Sequence, residues 1–210
     1  LSGIGDADEL TRLSIPVVAD VKGVGANFHN HVLLTSPILK CDRPLPPPQI
    51  NISECALYTR TSSGSPVPDL QIGFVHSPAD IVPGMTDRSL VTILPGLVRV
   101  LSRGTLKLAS ADPLQLPLID TNYLAERSDF DRLKRGFEIA REIARQPAFA
   151  QLGAKEVFPG PGVQTDAQID AYIRQNADSY WHYAGGCRMG SDSRSVTDPE
   201  LRVHGVQSLR

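Results

Sequence analysis

Residues 69–76, DLQIGFVH, alternate apolar side chains with polar or small ones. Leu70, Ile72 and Phe74 stand at every second position, which is the spacing of side chains on one face of a β-strand. A β-branched residue and two aromatic or aliphatic neighbours suit a pleated, half-buried surface. The stretch therefore predicts a strand with one buried face.

Similar stretches lie on both sides of it in the chain. Residues 55–60, CALYTR, also alternate, residues 89–95, SLVTILP, are rich in β-branched side chains, and residues 103–110, RGTLKLAS, contain a fourth short alternating run. No helical pattern separates these runs. Strands that follow one another without intervening helices favour an antiparallel sheet.

The clearest helical pattern comes after the strands. Residues 128–146, SDFDRLKRGFEIAREIARQ, repeat apolar positions every three or four residues, which predicts an amphipathic helix. Ser128 is the predicted N-cap, with Asp131 at the third helical position, and Pro147 is expected to end the helix. Two ion pairs are expected on its exposed face: Glu138 with Arg141, and Glu142 with Arg145.

Two further helix starts carry capping signals. Asp6 is the predicted N-cap of a short helix with Glu9 three residues on, and Thr165 stands in the same relation to Gln168. The order of strands followed by helices predicts an α+β fold in which helices cover one face of an antiparallel sheet. The closing stretch LRVHGVQSLR, residues 201–210, is expected to form a terminal strand, and the proline cluster at residues 44–48 an extended, exposed segment.

The bulk composition excludes several classes of protein. Of the 210 residues, 41% are hydrophobic and 21% charged, and the net charge is −2. This mixed charge does not create the positive field that nucleic-acid binding requires. No apolar run approaches the roughly 20 residues that span a bilayer. The three cysteines show no disulfide framework, which favours free thiols in a reducing compartment, the cytoplasm rather than the exterior. The chain does not begin with Met, and we expect it to be a fragment.

Several candidate sites have simpler interpretations. The pairs Gly3–Gly5 and Gly23–Gly25 begin like a dinucleotide fingerprint but lack its third glycine, so we interpret them as turns and close-packing positions. His29 and His31 would share one face of a strand, but no acidic or thiol partner stands at metal-ligand spacing. We therefore expect packed or solvated histidines and no metal. A nucleophilic Cys187 is less favoured than a packing role.

Residues 179–192, SYWHYAGGCRMGSD, concentrate rare residue types in one segment. The segment holds the only Trp of the chain, Trp181, next to His182, and Gly185 and Gly186 follow. An imidazole beside a flat apolar wall is suited to accept a proton near neutral pH. The residue types alone leave packing and catalysis equally open.

The residues of this segment also resemble a known family. YWHYAGGCRMG, residues 180–190, resembles the H-P-x-G-T-C-R-M-G segment of the glucose–methanol–choline (GMC) oxidoreductases. Further stretches are similar to blocks of that family in the same order: LSGIGDADEL at 1–10, GVGANFHNH at 23–31, SRGTLKLASADPLQLPLIDTNYL at 102–124 and VTDPELRVHGVQSLR at 196–210. The resemblance thus extends over the whole chain.

The resemblance implies an FAD-dependent enzyme that oxidises a primary or aryl alcohol to an aldehyde. His182 would be the base that removes the hydroxyl proton while the hydride passes to flavin N5. Trp181 and His182 would contact the cofactor, with Trp181 against the flavin or the substrate pocket. Gly185 and Gly186 would give the cofactor clearance, and Cys187 would be a packing residue. The electron acceptor would be oxygen, a quinone or a dye.

The resemblance also implies a domain organisation. Residues 1–31 would end a region associated with the FAD-binding domain, residues 32–178 would form the substrate domain, and residues 179–210 would carry the active-site segment and an incomplete return to the FAD-binding domain. The FAD fingerprint and a second catalytic His or Asn would lie outside this chain, which alone would be inactive. Two alternatives remain: a hydroxynitrile lyase of the same fold and a non-catalytic binding module.

Three residues depart from the family pattern. Tyr183 stands in place of the usual Pro, Gly186 in place of Thr, and Asn30 in place of Asp. The first two lie beside His182 and put the substrate in doubt more than the reaction. The Trp181–His182 pair is similar to the hydroxymethylfurfural and aryl-alcohol members of the family more than to the choline enzymes.

Overall fold

The computed structural model describes residues 1–46, 49, 51, 53, 55–76, 84 and 86–210. Its residues form two compact units. The first unit comprises residues 1–30, 102–125 and 181–210, and the second comprises residues 31–101 and 126–180. Each unit is therefore assembled from separate segments of the chain.

The described residues contain short strands and four helices. In chain order they are β1 (Ile4–Gly5), α1 (Ala7–Arg12), β2 (Ala19–Asp20), β3 (Val32–Leu34), β4 (Ile38–Lys40), β5 (Cys55–Thr59), β6 (Leu70–Val75), β7 (Leu90–Leu97), β8 (Thr105–Lys107), β9 (Leu118–Asp120), α2 (Arg127–Ala144), α3 (Pro147–Ala150), β10 (Lys155–Phe158), α4 (Asp166–Asn176) and β11 (Ala177–Ser179).

The second unit is built on a seven-stranded sheet in which β7 is central. One edge of β7 pairs along its length with β6, from Leu97 opposite Leu70 to Thr92 opposite Val75. Its other edge pairs with β3 near its end and with β4 near its beginning. The outer strands β5, β10 and β11 pair with β6, β4 and β3 in turn, and every pairing is antiparallel.

The helix α2 covers this sheet, in contact with β6 and β7. Phe130, Leu133 and Phe137 lie on one stripe of the helix and are fully buried, as the three- and four-residue spacing predicts. Tyr172 of α4 packs its ring against Phe137, with the ring centroids 5.7 Å apart. Burial raises the pKa of the Tyr172 hydroxyl to about 12.

The predicted cap of α2 is wrong. The helix begins one residue before Ser128, and Glu126 occupies the N-cap position without a side-chain capping bond. The physical reason lies in Asp129, which is buried and accepts the Leu101 N–H on both carboxylate oxygens, at 3.1 and 3.0 Å. Ser128 therefore belongs to the first helical turn instead of preceding it.

The first unit contains little regular structure. The strands β1 and β2 form a parallel pair, and β8 and β9 form an antiparallel ribbon of their own. Asp6 caps α1 as predicted, because its carboxylate accepts the N–H groups of Asp8 and Glu9. The Glu9 side chain does not complete a capping box; it accepts the Leu108 N–H at 3.1 Å.

The predicted α+β class, an antiparallel sheet covered by helices, is confirmed, and the capping box of Thr165 and Gln168 is formed. The run at 103–110 does form a strand, but in the separate β8–β9 ribbon. The predicted terminal strand is wrong: residues 201–210 form turns, with an isolated bridge between Val203 and Thr197. Of the predicted proline segment, residues 47 and 48 lie outside the described residues.

None of the described helices has the length and apolar content needed to cross a membrane. The three cysteine thiols, all on described residues, are free. The predicted domain boundaries at residues 31 and 178 stay a prediction, because the two compact units describe the packing of the chain and not the roles of its parts.

Candidate functional site

The candidate site is carried by Trp181–Gly186, here called the site segment, in the first unit. It runs beside Gly25–Asn30, the anchor segment, which belongs to the same unit. The N–H of Gly25 donates to the carbonyl of Gly186 at 2.7 Å, and His29 and Ala184 exchange two backbone hydrogen bonds of 3.0 and 2.9 Å. Backbone hydrogen bonds therefore fix the site segment to the anchor segment at two positions.

The anchor segment is itself held on its other side. Leu106 of β8 donates its N–H to the Gly25 carbonyl at 2.9 Å, and Gly104 donates to the Phe28 carbonyl at 2.7 Å. Both glycines of the 23–25 pair approach other backbone closely: a Cβ on Gly25 would lie 2.0 Å from the Leu106 oxygen. This confirms that the pair serves close packing.

Asn30 makes the third connection between the two segments. Its side chain is buried, with 1% exposure, and its Oδ1 accepts the backbone N–H of His182 at 2.8 Å. Its Nδ2 donates to the hydroxyl oxygen of Tyr123 at 2.6 Å. A buried, hydrogen-bonded amide thus holds the backbone of the predicted base.

Trp181 and His182 are exposed on the first unit, and 66% of Trp181 is accessible. Trp181 has a φ of +56°, in the left-handed region that bulky residues avoid. Such conformations cost about 1–3 kcal/mol and are kept only where the surroundings determine them. The Asn30 bond immediately after Trp181 is one such determinant.

Tyr183 turns toward the anchor segment. Its ring stacks on Phe28, with centroids 5.7 Å apart and an angle of 20° between the planes. Phe28 is buried, whereas Tyr183 keeps 54% of its surface exposed. Tyr183, which stands in place of Pro in the resembling family, therefore adds an aromatic wall.

This wall belongs to a cleft of about 530 Å³ in the first unit. Much of its lining is apolar, and Asp6 and Glu9 also belong to it. Further lining residues include Leu10, Val24, Leu108 and Cys187. The lining takes in the site segment from Tyr183 onward, and Trp181 and His182 are not part of it.

The two glycines of the site segment have different surroundings. Gly185 has a φ of +85°, and a Cβ there would lie 2.2 Å from the Asn27 oxygen and 2.4 Å from Nδ1 of His29. A Cβ on Gly186 would meet nothing within 4 Å. Close contact with the anchor segment therefore requires glycine at 185, whereas Gly186 faces open space in the cleft. The predicted cofactor clearance at the two positions stays a prediction.

The residues after the site segment are held by an ion pair. Both terminal guanidinium nitrogens of Arg188 donate to the Asp192 carboxylate, at 2.9 and 2.6 Å. The Arg188 hydrogen bonds, helped by the N–H of Arg194, lower the pKa of Asp192 to about 2. Cys187 beside this pair is exposed, so its predicted packing role is wrong.

His29 and His31, for which the sequence predicts no metal, belong to different units. Nδ1 of His29 lies 2.9 Å from the Asn27 carbonyl in the first unit. His31 belongs to the second unit, where its ring meets Tyr180 edge-on at 6.4 Å. Across the part of the chain that the structure describes, no three His, Cys, Asp or Glu side chains converge as metal ligands would.

The structure thus keeps Trp181 and His182 together and adds residues that sequence reasoning missed. Asn30 stood out only as a departure from a family pattern, and Phe28 and Tyr123 carried no signal. Their roles depend on contacts over long separations: His182 comes 152 positions after Asn30, and Tyr123 comes 93 positions after it.

The site segment thus presents an exposed imidazole on a backbone held by three sets of hydrogen bonds, and from Tyr183 onward it lines an aromatic cleft. A family model described as GMC oxidoreductase matches residues 100–210, more than half of the chain. The chain belongs to the GMC oxidoreductase family.

Three relatives illustrate this membership. Human mitochondrial choline dehydrogenase is 36% identical over 235 residues, which cover all of this chain and 40% of that protein. The crystal structure of pyridoxine 4-oxidase from Mesorbium loti superposes with a TM-score of 0.88 at 27% identity, over 99% of this chain and 41% of that one. A formate oxidase of Aspergillus oryzae, studied for its FAD modification, shares the fold at 21% identity, with a TM-score of 0.85, over 99% of this chain and 45% of that one. The chain thus spans about two fifths of the length of these relatives.

Proposed function

We propose that the full-length protein is an FAD-dependent oxidoreductase that converts an alcohol to an aldehyde. The observation that carries this proposal is the site segment, which presents an exposed imidazole on a backbone bound to Asn30. The GMC membership supplies the class of reaction. The relatives include a choline dehydrogenase and a pyridoxine oxidase, and choline and pyridoxine both carry alcohol groups. His182 and Trp181 are the residues we assign to the reaction.

The residues of the first unit fit an FAD cofactor in part. The cleft of about 530 Å³ is largely apolar, has the stacked rings of Phe28 and Tyr183 on one side, and is left open at Gly186. A planar aromatic group suits such a wall. We propose that these residues contact one portion of FAD and that the remaining contacts come from the rest of the full-length protein.

His182 would act as the base. Its exposed imidazole would accept the proton of the substrate hydroxyl, which leaves the oxygen free to form the C=O bond. When FAD is bound, it supplies the acceptor for the hydride that leaves the carbinol carbon. The proton thus ends on His182 and the two electrons leave with the hydride, which balances the conversion of the alcohol to the aldehyde.

The two units would divide the work. We propose that the first unit, with Trp181 and His182, is part of the FAD-binding side of the protein, and that the sheet of the second unit belongs to the substrate domain. Trp181, with 66% of its surface exposed, would lie against the flavin or the substrate. An exposed indole offers a large, flat apolar face with one polar N–H to such a partner.

The substrate class remains a primary alcohol. The similarity to choline dehydrogenase favours choline, whereas the Trp181–His182 pair favours aryl alcohols. Tyr183 and Gly186 reshape the cleft, so neither relative fixes the substrate. A panel that contains choline, pyridoxine and benzyl alcohol would separate these possibilities.

The test is anaerobic reduction of the flavin in the full-length protein. We expect an alcohol of the panel to bleach the visible flavin absorbance in a single turnover. His182→Ala should slow the bleaching by about 100-fold, since a general base contributes about 10²–10⁴ in rate. A matched control is His204→Ala, whose ring contacts the Gly190 carbonyl, outside the site segment; we expect less than a threefold change. An unchanged rate in His182→Ala would refute the base role.

The same experiment addresses the two alternatives. A hydroxynitrile lyase would release cyanide from mandelonitrile without bleaching the flavin. A binding module would do neither. In a protein that retains FAD, cyanide release without bleaching would exclude alcohol oxidation as its function, and the absence of both would exclude oxidation of the alcohols in the panel.

A further inference from the structure

We propose that Asn30 is a positioning residue, whose amide fixes the backbone at His182 and thereby sets where the imidazole stands. The inference rests on the proposed function of His182. It concerns the bond that joins the Asn30 side chain to the main-chain N–H of His182. Its effect would act through the main chain.

The orientation of the Asn30 amide follows from its two partners. The backbone N–H of His182 can only donate, so it must face the amide oxygen, 2.8 Å away. The amide nitrogen then faces Tyr123, whose oxygen accepts at 2.6 Å. With 1% exposure, the amide has little access to water that could replace either partner. Loss of one bond would therefore leave a buried polar group without its partner, which is costly.

The bond acts at the point where the chain changes direction. Trp181 is in the left-handed region, at a φ of +56°, and His182 is the next residue. If Trp181 relaxed to an ordinary negative φ, the peptide before His182 would rotate and the imidazole would move. Acceptance of the His182 N–H by Asn30 opposes that rotation directly. Reactions of this kind are sensitive to position, and a displacement of about 1 Å can cost about 10²-fold in rate.

Three substitutions distinguish the two hydrogen bonds of the Asn30 side chain. Ala at position 30 would remove both bonds. Asp would keep an acceptor for the His182 N–H, and the Tyr123 hydroxyl could then donate to the carboxylate in place of accepting. Asn30→Asp is therefore the conservative variant, and Tyr123→Phe removes only the second partner.

The first readout is steady-state kinetics of the full-length holoenzyme with an alcohol that reduces the flavin, with rates normalised to bound FAD. We expect Asn30→Ala to lower kcat by about 30-fold, with KM within about threefold, because substrate contacts are kept and only the base is displaced. Asn30→Asp should restore kcat to within about fivefold of the wild type. Tyr123→Phe should fall between these values.

The second readout does not depend on activity. Hydrogen–deuterium exchange, measured on a peptide that contains His182, reports whether its N–H is bonded. We expect the His182 amide to exchange at least about tenfold faster in Asn30→Ala, and at a rate near that of the wild type in Asn30→Asp.

Thr92→Val is the matched structural control. Thr92 is fully buried in the second unit and donates its hydroxyl to the Pro37 carbonyl at 3.1 Å. Thr92→Val should lower the midpoint of thermal unfolding, because a buried hydrogen bond is lost, and should leave kcat unchanged within about twofold. A purely structural role for Asn30 would make Asn30→Ala behave in the same way.

The outcomes separate this inference from the function on which it rests. If His182→Ala oxidises the alcohol at the wild-type rate, the base role fails, and the exchange data alone decide whether Asn30 holds the amide. If Asn30→Ala does not fold, Asn30→Asp decides: kcat within fivefold and a protected His182 amide support the inference. In Asn30→Asp, a kcat as low as that of His182→Ala would overturn the inference. Exchange of the His182 amide without protection in Asn30→Asp would overturn it as well.

Discussion

Gly185 and Gly186 are neighbours in the chain with opposite surroundings. At Gly185, a φ of +85° combines with a Cβ position 2.2 Å from the Asn27 oxygen, so both the backbone and the space exclude a side chain. At Gly186, a Cβ would enter open space. The pair therefore offers the same mutation in two environments.

We expect Gly185→Ala to destabilise the full-length protein by about 2 kcal/mol or more, because a strained backbone position costs about 1–3 kcal/mol and the steric clash adds to it. Gly186→Ala should change the free energy of unfolding by less than about 0.5 kcal/mol, as ordinary surface substitutions do. Urea unfolding followed by circular dichroism measures both. Equal losses in the two variants would show that the anchor segment can move away from Gly185.

The site could be predicted from the sequence only as far as residue types carry information. Trp181 and His182 stand out because they are rare types in one glycine-containing segment. The Asn30 bond to His182 is invisible there, because an amide at position 30 has no sequence relation to an N–H 152 residues later. The contact of Gly185 with Asn27 and His29 is invisible for the same reason: the sequence shows that space is needed but not which residues approach it.

At the scale of elements, the ion pairs of α2 differ from those that the sequence predicts. The predicted pairs Glu138–Arg141 and Glu142–Arg145 are not those that the structure shows. Arg135 contacts both glutamates, at 3.2 and 3.0 Å. Arg141 points to the buried side, where it binds both carboxylate oxygens of Glu156 at 3.0 and 2.6 Å.

Arg141→Ala should destabilise the protein far more than Arg135→Ala. Removal of one partner from a buried ion pair costs about 3–5 kcal/mol; we expect about 3 kcal/mol, since the Arg141 side chain is 7% exposed but Glu156 keeps 23%. Arg135 and its partners are largely exposed, so its loss should cost less than about 1 kcal/mol. Both variants lie on one helix, so differences in helix propensity cancel.

Chemical denaturation of the two variants measures this contrast. The Arg141 guanidinium also lies 4.6 Å from the centre of the Phe137 ring and donates to the Val163 carbonyl at 2.8 Å. Arg141→Met keeps the packing of the side chain on Phe137 but not its charge. A loss in Arg141→Met as small as that in Arg135→Ala would show that packing, not the ion pair, is what Arg141 contributes.

The elements that the sequence predicted are those with local signals. The strands β5, β6 and β7 alternate or are β-branched over five or more residues, and the Thr165 capping box lies within four residues. Strands of three or four residues, such as β4 and β10, are too short for a periodic pattern to show. Residues 201–210 have strand-like residues but form turns, because a strand requires a partner that no local pattern specifies.

At the scale of the whole molecule, the chain enters the first unit three times and the second unit twice. The site segment begins where the chain leaves Tyr180, in the second unit, and enters the first at Trp181. A site built in this way depends on the folding of distant chain segments, since the anchor segment, β8 and the site segment come from all three parts of the first unit.

The cleft of the first unit leads to the last prediction, that the 210-residue chain alone does not retain FAD. The cleft of about 530 Å³ supplies one aromatic wall and an open side at Gly186, and the chain spans about two fifths of the length of its relatives. Partial contact leaves much of the cofactor in water, so the interactions gained do not offset the freedom lost on binding. After incubation with FAD and gel filtration, we expect a colourless 210-residue chain and a yellow full-length protein. Cooperative unfolding of the separated chain, followed by the fluorescence of Trp181, is the control that it is folded. Retention of FAD at a one-to-one ratio by the folded chain would show that the first unit holds the whole cofactor by itself.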